Sequence, residues 1–290
     1  MPCNAPLPAW QPPTGGKPLF GKLPPAPGYI GLMLPCGQCA GCRLHKSQQW
    51  AMRCVHEAQT HRENCFITLT YSDEHLPLFG SLQKSDLTKF LKRLRHHRGP
   101  FRFYACGEYG DRTQRAHYHA CIFGLDFPDK LQFRKIGEHV LYVSEELNQI
   151  WGHGNTSIGS LTFETAAYTA RYVMKKQTGK TAKPYTHLDP ETGELTTLTQ
   201  PYAVMSLRKA IAKEWLEKYY ADIYNKDYVV LRGKKMPAAR YYDKLYDKIN
   251  PEKLKQLKAL RVENSDKLLD NQLRARELNV RAASFSRKQV

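Results

Sequence analysis

Two runs rich in apolar and aromatic residues, at 101–110 and 116–124, flank the short polar segment 111–115. This arrangement is typical of two strands joined in a hairpin, and it commits this part of the chain to a β-sheet. The second run carries His117 and His119, which project from one face of a strand because alternate side chains point to opposite sides. Such paired imidazoles are either half of a metal site or ordinary core histidines that have found hydrogen-bond partners.

Helical and strand patterns alternate around this hairpin. They predict strands over 64–73 and 154–161, and helices over 81–99, 143–151 and 162–177. The helix over 81–99 has one apolar stripe, formed by Leu87, Phe90, Leu91 and Leu94. Ser144 is placed to cap the short helix that follows the hairpin. This order of elements predicts an α+β fold in which helices flank a central antiparallel sheet.

Shifts in composition predict four parts of the chain: a Pro-rich and Cys-rich N-terminal segment over 1–60, the α+β domain over 61–180, a linker over 181–202 and a mainly helical, basic C-terminal region over 203–290. Within the first part, residues 1–35 are rich in Pro and Gly and are expected to be irregular. A helix is expected to begin at about Arg43.

The chain is strongly basic. Its 44 lysines and arginines outnumber 27 acidic residues, which gives a formal charge of +17. A field of this sign attracts polyanions, and the 17 tyrosines and 11 phenylalanines among the cations suit single-stranded nucleic acid, where bases stack and phosphates pair. A basic protein kept soluble by its charge is the alternative, but the balance favours nucleic-acid binding.

The distribution of apolar residues along the chain indicates its cellular compartment. No stretch reaches the roughly 18 consecutive apolar residues of a membrane-spanning helix, and the Pro-rich start lacks the apolar run of a signal peptide. We therefore expect a cytoplasmic protein without a membrane partner. Its eight cysteines are then expected to be reduced thiols or metal ligands. Three of them lie in predicted strands and are expected to be buried as small hydrophobic residues: Cys65, Cys106 and Cys121.

Three further cysteines are closely spaced as C-x₂-C-x₂-C: Cys36, Cys39 and Cys42. With Cys3 as a fourth thiolate they would form a structural Zn²⁺ site that fixes the N-terminal segment to the following helix. His45 and Cys54 compete with Cys3 for the fourth position. An iron–sulfur cluster is a second interpretation, because similar spacings serve both metals.

Glu108 precedes His117 by nine residues. If the two strands form a hairpin around the polar segment, its carboxylate lies opposite the histidine strand. Two imidazoles and one carboxylate would leave open positions and suit Mg²⁺ or Mn²⁺ acting as a Lewis acid. The alternative for Glu108 alone is a surface carboxylate beside a turn.

Tyr168 and Tyr172 lie four residues apart in a predicted helix and so share one face. Arg171 and Lys175 each follow a tyrosine by three residues. Such spacing is common in an aromatic stripe that packs on a sheet. It also suits a pair of nucleophiles, because a phenol with an ordinary pKa of about 10 needs a nearby cation to favour its phenolate. With a metal polarising a phosphodiester, these residues would perform phosphoryl transfer.

His-hydrophobic-His on a strand, followed downstream by Tyr-x-x-x-Tyr on a helix, resembles the HUH endonuclease superfamily. Placement of the tyrosines after the histidines is similar to rolling-circle replication initiators. Four segments together resemble the initiators of the gokushovirus branch of the Microviridae: "PCGQCAGCR", "ITLTYSDEHLP", "GEYGDRTQRAHYHACIFG" and "YTARYVMKK". The resemblance covers roughly residues 3–250.

The resemblance implies a role for each matching position. It makes "FITLTY" a core strand without catalytic residues. The implied metal ligands are His117, His119 and Glu108; the implied nucleophiles are Tyr168 and Tyr172; and Lys175 and Arg171 would assist the phosphate or the phenolate.

The implied activity is that of a metal-dependent, site-specific DNA nickase and strand transferase. It would cut a supercoiled origin, keep the 5′ end as a phosphotyrosine and later rejoin the product strand. Single-stranded DNA and a host helicase and polymerase would be its partners in the bacterial cytoplasm. An HUH-type transposase and a non-enzymatic zinc-ribbon protein that binds nucleic acid are the alternatives.

Overall fold

The computed structural model describes residues 3–110, 113–175, 185–188 and 192–266, with side chains throughout except at 172–175 and 262–266. The chain divides into two compact units. The first consists of Met1–Lys46 and Lys258–Val290, and the second of Ser47–Leu257. Among the described residues, no helix has both the length and the apolar character needed to cross a bilayer.

The first unit contains a three-stranded antiparallel sheet in the order β2-β1-β3, formed by β1 (Leu7–Gln11), β2 (Leu19–Phe20) and β3 (Ile30–Leu34). The expectation that residues 1–35 are irregular is therefore wrong. The strands are short, and β1 carries Pro8, which removes a donor from the ladder and conceals the strand pattern. Trp10 ties the sheet together, since its Nε1–H donates to the carbonyl of Gly21 at 3.0 Å.

The second unit is built on a sheet of seven antiparallel strands. The strands that follow β3 in the chain are β4 (Asn64–Thr70), β5 (Arg102–Tyr109), β6 (Ala116–Phe123), β7 (Leu131–Ile136), β8 (His139–Val143), β9 (Thr156–Gly159), β10 (Thr186–Leu188), β11 (Leu195–Thr197), β12 (Tyr202–Met205), β13 (Val229–Leu231) and β14 (Lys234–Met236). The large sheet has the order β12-β5-β6-β4-β9-β8-β7. The predicted α+β class with a central antiparallel sheet is confirmed.

Seven α-helices accompany the sheets within the described residues: α1 (Ala40–Ala58), α2 (Lys84–Arg98), α3 (Glu145–Trp151), α4 (Phe163–Lys175), α5 (Lys213–Lys226), α6 (Arg240–Tyr246) and α7 (Pro251–Asp266). The predicted apolar stripe of α2 is buried along its whole length. The predicted cap of α3 is confirmed, because the Leu147 N–H donates to Ser144 Oγ at 3.0 Å. Helix α1 begins at Ala40, one turn before the predicted start.

Strands β7 and β8 have no counterpart in the sequence analysis. Every residue of β7 is exposed, and the alternation of apolar and polar residues in its sequence lasts only from Leu131 to Arg134, the lower limit of a strand signal. The predicted linker at 181–202 contains the hairpin of β10 and β11, and its predicted end falls within β12. Strand β12 pairs with β5 at the edge of the large sheet.

The two faces of the large sheet pack against different helices. One face supplies Ile67, Leu69 and Tyr118 to a core shared with α2 and α3. The other face supplies Tyr104 and Cys121 to a core shared with α1, α4, α5 and α6. As predicted, three cysteines of the strands are fully buried: Cys65, Cys106 and Cys121. The candidate site lies on the face covered by α4.

Candidate functional site

The register of β5 and β6 brings three chemically active side chains together. Glu108 is paired directly with His117, and His119 lies two residues further along β6. Residues opposite each other in antiparallel strands share a face, as do residues two apart on one strand. The turn between the strands is closed by the Gly110 N–H donating to the Arg115 carbonyl at 3.0 Å.

Glu108 joins the two imidazoles through a single oxygen. Its Oε1 lies 2.9 Å from His117 Nε2 and 3.0 Å from His119 Nε2. The carboxylate is 1% exposed, and its Oε2 is buried without a hydrogen-bond partner among the described residues. A buried carboxylate oxygen without a partner is costly, so it points to a ligand that completes the site.

The second ring nitrogen of each imidazole, Nδ1, also has a polar neighbour. His117 Nδ1 lies 3.1 Å from the Arg115 carbonyl, and His119 Nδ1 lies 3.0 Å from Thr68 Oγ1. Burial lowers the pKa of His119, and the neighbouring His117 lowers it further, while Glu108 acts in the opposite direction. A neutral imidazole is the form that binds a metal.

These three residues could hold a metal ion. One ligand atom from each of Glu108, His117 and His119 lies within 4.8 Å of the others. Two imidazole nitrogens and one carboxylate oxygen leave coordination positions for other ligands, a donor set that suits a catalytic rather than a closed structural site. The unpartnered Oε2 of Glu108 adds a further oxygen donor. The residues present therefore fit a divalent cation.

Helix α4 brings Tyr168 to this group. The Tyr168 hydroxyl donates to Glu108 Oε1 at 3.4 Å, and its ring meets the His119 ring edge-on with centroids 5.0 Å apart. The sheet-facing residues Ala166 and Ala170 are small and fully buried, which lets the helix lie close to the strands. Ser47 of α1 fixes the helix from outside by donating to the Ala167 carbonyl at 3.0 Å.

The other predicted residues of α4 lie around Tyr168. Arg171 is exposed, and its guanidinium carbon lies 5.6 Å from the centre of the Tyr168 ring. Tyr172 and Lys175 belong to the last turns of α4, but their side chains lie outside the described residues. The structure thus brings together Glu108, both histidines and Tyr168, with Arg171 beside the tyrosine.

The N-terminal cysteines form a second group in the first unit. It consists of Cys3, Cys36, Cys39 and Cys42, whose sulfurs lie within 4.8 Å of one another. Main-chain N–H groups donate to these sulfurs: Asn4 to Cys39 at 3.4 Å and Cys36 to Cys3 at 3.2 Å. Cys54, the competing candidate for the fourth position, is fully buried in the core of the second unit. His45 does not belong to the group.

The thiols of this group differ in acidity. Burial by itself raises the pKa of Cys39, but N–H donation from Asn4 and Cys42 outweighs it and lowers the pKa to about 6. Burial raises the pKa of Cys42 to about 12. Four sulfurs without a competing oxygen or nitrogen are a donor set for Zn²⁺ or iron. The group could therefore hold a metal.

Thr68 contacts the site, although the resemblance implied that "FITLTY" is a core strand without catalytic residues. Its neighbours Ile67 and Leu69 belong to the apolar core, and Thr68 lies on the opposite face of β4. The polar residues Thr68 and Thr70 alternate with these core residues. That alternation already indicated that the second face of β4 is not apolar.

Comparisons with a family model and with individual known proteins agree on one kind of protein. Residues 64–177, which run from β4 to α4, match the family model of replication-associated protein ORF2/G2P. The chain is 36% identical over 257 residues to replication-associated protein VP4 of Bdellovibrio phage phiMH2K, covering 84% of this chain and 77% of the relative. It is 32% identical over 227 residues to replication-associated protein ORF2 of Spiroplasma virus 4, covering 73% and 67%.

A third relative matches over a smaller part of both chains. Replication-associated protein ORF4 of Chlamydia phage 1 is 33% identical over 153 residues, which is 49% of this chain and 38% of the relative. No solved structure matches the chain significantly. The match to the ORF2/G2P family contains Glu108, both histidines and Tyr168, so the candidate site lies in the segment that defines the likeness.

Proposed function

Because the chain belongs to the ORF2/G2P family of replication-associated proteins of small gokushovirus-type phages, we propose that it starts phage DNA replication by nicking the origin. The observation that carries this proposal is the Tyr168 hydroxyl, 3.4 Å from a buried carboxylate that also contacts two imidazoles. A phenol beside a candidate metal group is the arrangement that tyrosine-based phosphoryl transfer needs.

The metal would be held by Glu108, His117 and His119. When bound there, Mg²⁺ or Mn²⁺ would supply Lewis-acid polarisation of the scissile phosphodiester. The protein itself holds the ligand atoms in place by strand register, because all three residues lie on two adjacent strands of a seven-stranded sheet. Such rigid placement limits the rearrangement needed during the reaction.

Tyr168 is the proposed nucleophile. Its phenolic oxygen attacks phosphorus, the P–O3′ bond breaks, and the 5′ end stays on the protein as a phosphotyrosine. The phenol loses its proton and the departing 3′ oxygen gains one, so the number of phosphodiester-type bonds is conserved. The hydrogen bond to Glu108 Oε1 holds the Tyr168 hydroxyl at the candidate metal group. No ATP is required, since the energy of the broken bond is kept in the new one.

Tyr172 is the proposed second nucleophile. Residues four apart in a helix share a face, so it follows Tyr168 one turn along α4. After one round of synthesis it would cut the regenerated origin, and the displaced strand would be closed by attack of its 3′ hydroxyl on the first phosphotyrosine. Arg171 and Lys175 would stabilise the phosphate or the phenolate.

The cysteine group is proposed to hold a structural Zn²⁺ through Cys3, Cys36, Cys39 and Cys42. Support comes from the four clustered sulfurs and from main-chain N–H groups that already donate to them. Such closed thiolate sites supply folding energy to small units that lack a large core. The partners proposed for the whole protein are the supercoiled origin, single-stranded DNA and a host helicase and polymerase, in the cytoplasm of the bacterial host.

The test uses the purified full chain, a supercoiled plasmid carrying the origin of the phage, and Mn²⁺ or Mg²⁺. We expect an open-circular product with protein attached to the 5′ end. Tyr168→Phe and Tyr172→Phe should each leave some adduct, and the double variant should leave none. Tyr219→Phe is the matched control, because that ring packs on Trp215 in α5. Tight DNA binding without any nick, in either metal, would contradict the proposal and favour a non-enzymatic DNA-binding protein.

A further inference from the structure

The two histidines of the candidate metal group contact different kinds of polar group through Nδ1. His117 Nδ1 lies 3.1 Å from a main-chain carbonyl, that of Arg115, which any residue at that position would supply. His119 Nδ1 lies 3.0 Å from a side-chain hydroxyl, that of Thr68. The second contact therefore depends on the identity of one residue in β4.

Strand register explains why Thr68 reaches His119. Strands β4 and β6 pair so that Thr68 lies opposite His119 and Thr70 lies opposite His117. The Thr70 hydroxyl turns away and donates to the Asn155 carbonyl at 2.8 Å. The two threonines share a strand, a face and a cross-strand histidine, yet only Thr68 has a hydrogen bond to its histidine among those described.

From this asymmetry we propose that Thr68 is a positioning residue for the metal group, and that it fixes the Nδ1–H form of His119 when Nε2 binds the ion. This inference rests on the proposed function. A neutral imidazole carries one donor and one acceptor, so an Nε2 that donates its lone pair to a metal requires the proton on Nδ1. The Thr68 hydroxyl then accepts that Nδ1–H.

A hydroxyl suits this role because it can exchange donor and acceptor roles by rotating. Without an ion, a neutral His119 places its proton on Nε2, which lies 3.0 Å from Glu108 Oε1, because a carboxylate can only accept; Nδ1 then accepts from the Thr68 hydroxyl. With an ion, the proton moves to Nδ1 and the hydroxyl rotates to accept it. Thr68 thus satisfies His119 in both states without a movement of the strand.

The ring of His119 is held on its faces as well. Phe66, two residues before Thr68 on the same strand, stacks on it with centroids 5.5 Å apart and planes 11° apart. Tyr168 meets it edge-on from α4. Stacking limits tilt of the ring, whereas the contacts of its two nitrogens, with Thr68 and with Glu108, limit rotation within the plane of the ring. When Nε2 binds an ion instead, the contact with Thr68 remains on the Nδ1 side and helps to decide where Nε2 points.

The test measures metal binding directly, in the full chain with its cysteine group loaded with Zn²⁺. Free Mn²⁺ is followed by electron paramagnetic resonance, and nicking is followed separately. We expect Thr68→Val to weaken Mn²⁺ binding by about 10- to 100-fold, the usual cost of losing an outer partner of a metal-bound histidine. Thr68→Ser keeps the hydroxyl and should stay close to wild type, and saturating Mn²⁺ should largely restore nicking by Thr68→Val.

Thr70→Val is the matched control, since it makes the same change on the same strand and face. It should leave Mn²⁺ affinity unchanged. If Thr68→Val fails to fold, the comparison of Thr68→Ser with Thr68→Ala gives the same contrast. Equal affinity in Thr68→Val and wild type would overturn the inference, as would an equal loss in Thr70→Val. Wild-type protein that binds no Mn²⁺, or whose binding survives Glu108→Gln, would overturn the proposed function and this inference with it.

Discussion

The two candidate metal groups of this protein are built in opposite ways. The first unit gathers four sulfurs, from Cys3 near the start of the chain and from three cysteines within seven residues of one another. The second unit gathers one carboxylate and two imidazoles from a pair of adjacent strands. Four sulfurs complete a tetrahedral site, whereas three ligands leave room for a substrate. The number of ligands alone therefore separates a group suited to stability from one suited to reaction.

The surroundings of the two groups also separate a group suited to stability from one suited to reaction. Main-chain N–H groups donate to the sulfurs, so the backbone around the cysteines is already arranged for thiolates. In the second group, Glu108 Oε2 is buried without a described partner. A polar atom left in this state lowers stability, and proteins retain such atoms mainly where function needs them. The first group would stabilise its unit once it holds a metal, while the unpartnered Oε2 of the second group lowers the stability of its unit.

The largest expected effect is that of Glu108→Gln. Because the amide removes the charge that the ion needs, Mn²⁺ binding should be lost and nicking should fall by about 10³-fold. The melting temperature without metal should stay the same or rise, since a buried charge is removed. Mn²⁺ titration, a plasmid nicking assay and thermal unfolding check these outcomes.

Glu164→Gln is the control for this variant. It removes a carboxylate from the first turn of α4, where Glu164 is exposed and pairs with Arg232 at 2.5 Å. Mn²⁺ binding and nicking should stay within about twofold, as is usual for a surface ion pair. Retention of Mn²⁺ binding in Glu108→Gln would break the comparison, because the three-ligand group would then not be the metal site.

The second largest effect is expected in the first group, the four cysteines, and is a loss of folding stability. Cys39→Ser should lose the Zn²⁺ bound per chain and destabilise the sheet of β1, β2 and β3 by several kcal/mol. Metal analysis and hydrogen exchange of that sheet check this outcome. Nicking of a single-stranded oligonucleotide should change by less than about threefold, because Glu108, the histidines and Tyr168 all lie in the second unit.

Cys65→Ser is the matched control, because it makes the same atomic change in the buried core of the second unit. It should keep the Zn²⁺. Full zinc content in Cys39→Ser would exclude the cysteine group as the zinc site. Visible absorption from iron in the wild-type protein would instead assign the group to an iron–sulfur cluster, with the same ligands and a different metal.

The sequence predicted the second group well, because local rules determine it. The two-residue period of a strand places His117 and His119 on one face, and the register of the hairpin closed by Gly110 and Arg115 brings Glu108 opposite His117. The stripe of α2 and the Ser144 cap follow from equally local rules. These features needed only neighbours in the chain.

The elements that were missed depend on partners distant in the chain. Strand β1 is central in its sheet despite Pro8, because β3 pairs with it from 19 to 27 residues away. Strand β7 extends the large sheet with exposed residues, and four of the five residues of its partner β8 are half-buried, so neither strand has the fully buried face that marks a core strand. Thr68 reaches His119 only through the pairing of β4 with β6, 51 residues apart. Pairings of this kind carry no local signal.

A smaller effect is expected from the cation beside Tyr168 in the second unit. Arg171 lies beside Tyr168, with its guanidinium carbon 5.6 Å from the ring centre. Arg171→Gln should slow nicking by about tenfold, because a cation favours both the phenolate and the phosphate. Mn²⁺ affinity should not change, which separates this role from that of the ligands. Arg171→Lys should recover most of the rate. A loss of Mn²⁺ affinity in Arg171→Gln would contradict this separation of roles.

The smallest expected effect on the reaction comes from a buried histidine that belongs to neither group. His56 Nδ1 lies 2.7 Å from the Tyr242 hydroxyl, and its ring stacks on Trp215 with centroids 3.5 Å apart. Burial lowers the pKa of His56 from 6.5 to about 3. His56→Gln should leave Mn²⁺ affinity within about twofold of wild type, because no residue of either metal group contributes to this contact.

The effect of His56 is expected in the pH dependence of folding. Between its unfolded and folded pKa values the unfolded chain binds more protons, so the stability that neutral His56 supplies is complete above pH 6.5 and declines as the pH falls toward 3. From pH 7 to pH 5 this amounts to about 2 kcal/mol, which His56→Gln should not lose. Denaturant unfolding, followed by tryptophan fluorescence without Mn²⁺, measures the difference. An equal loss in both proteins would mean that His56 is protonated in the folded state, and burial alone would then not separate a core imidazole from a metal-binding one.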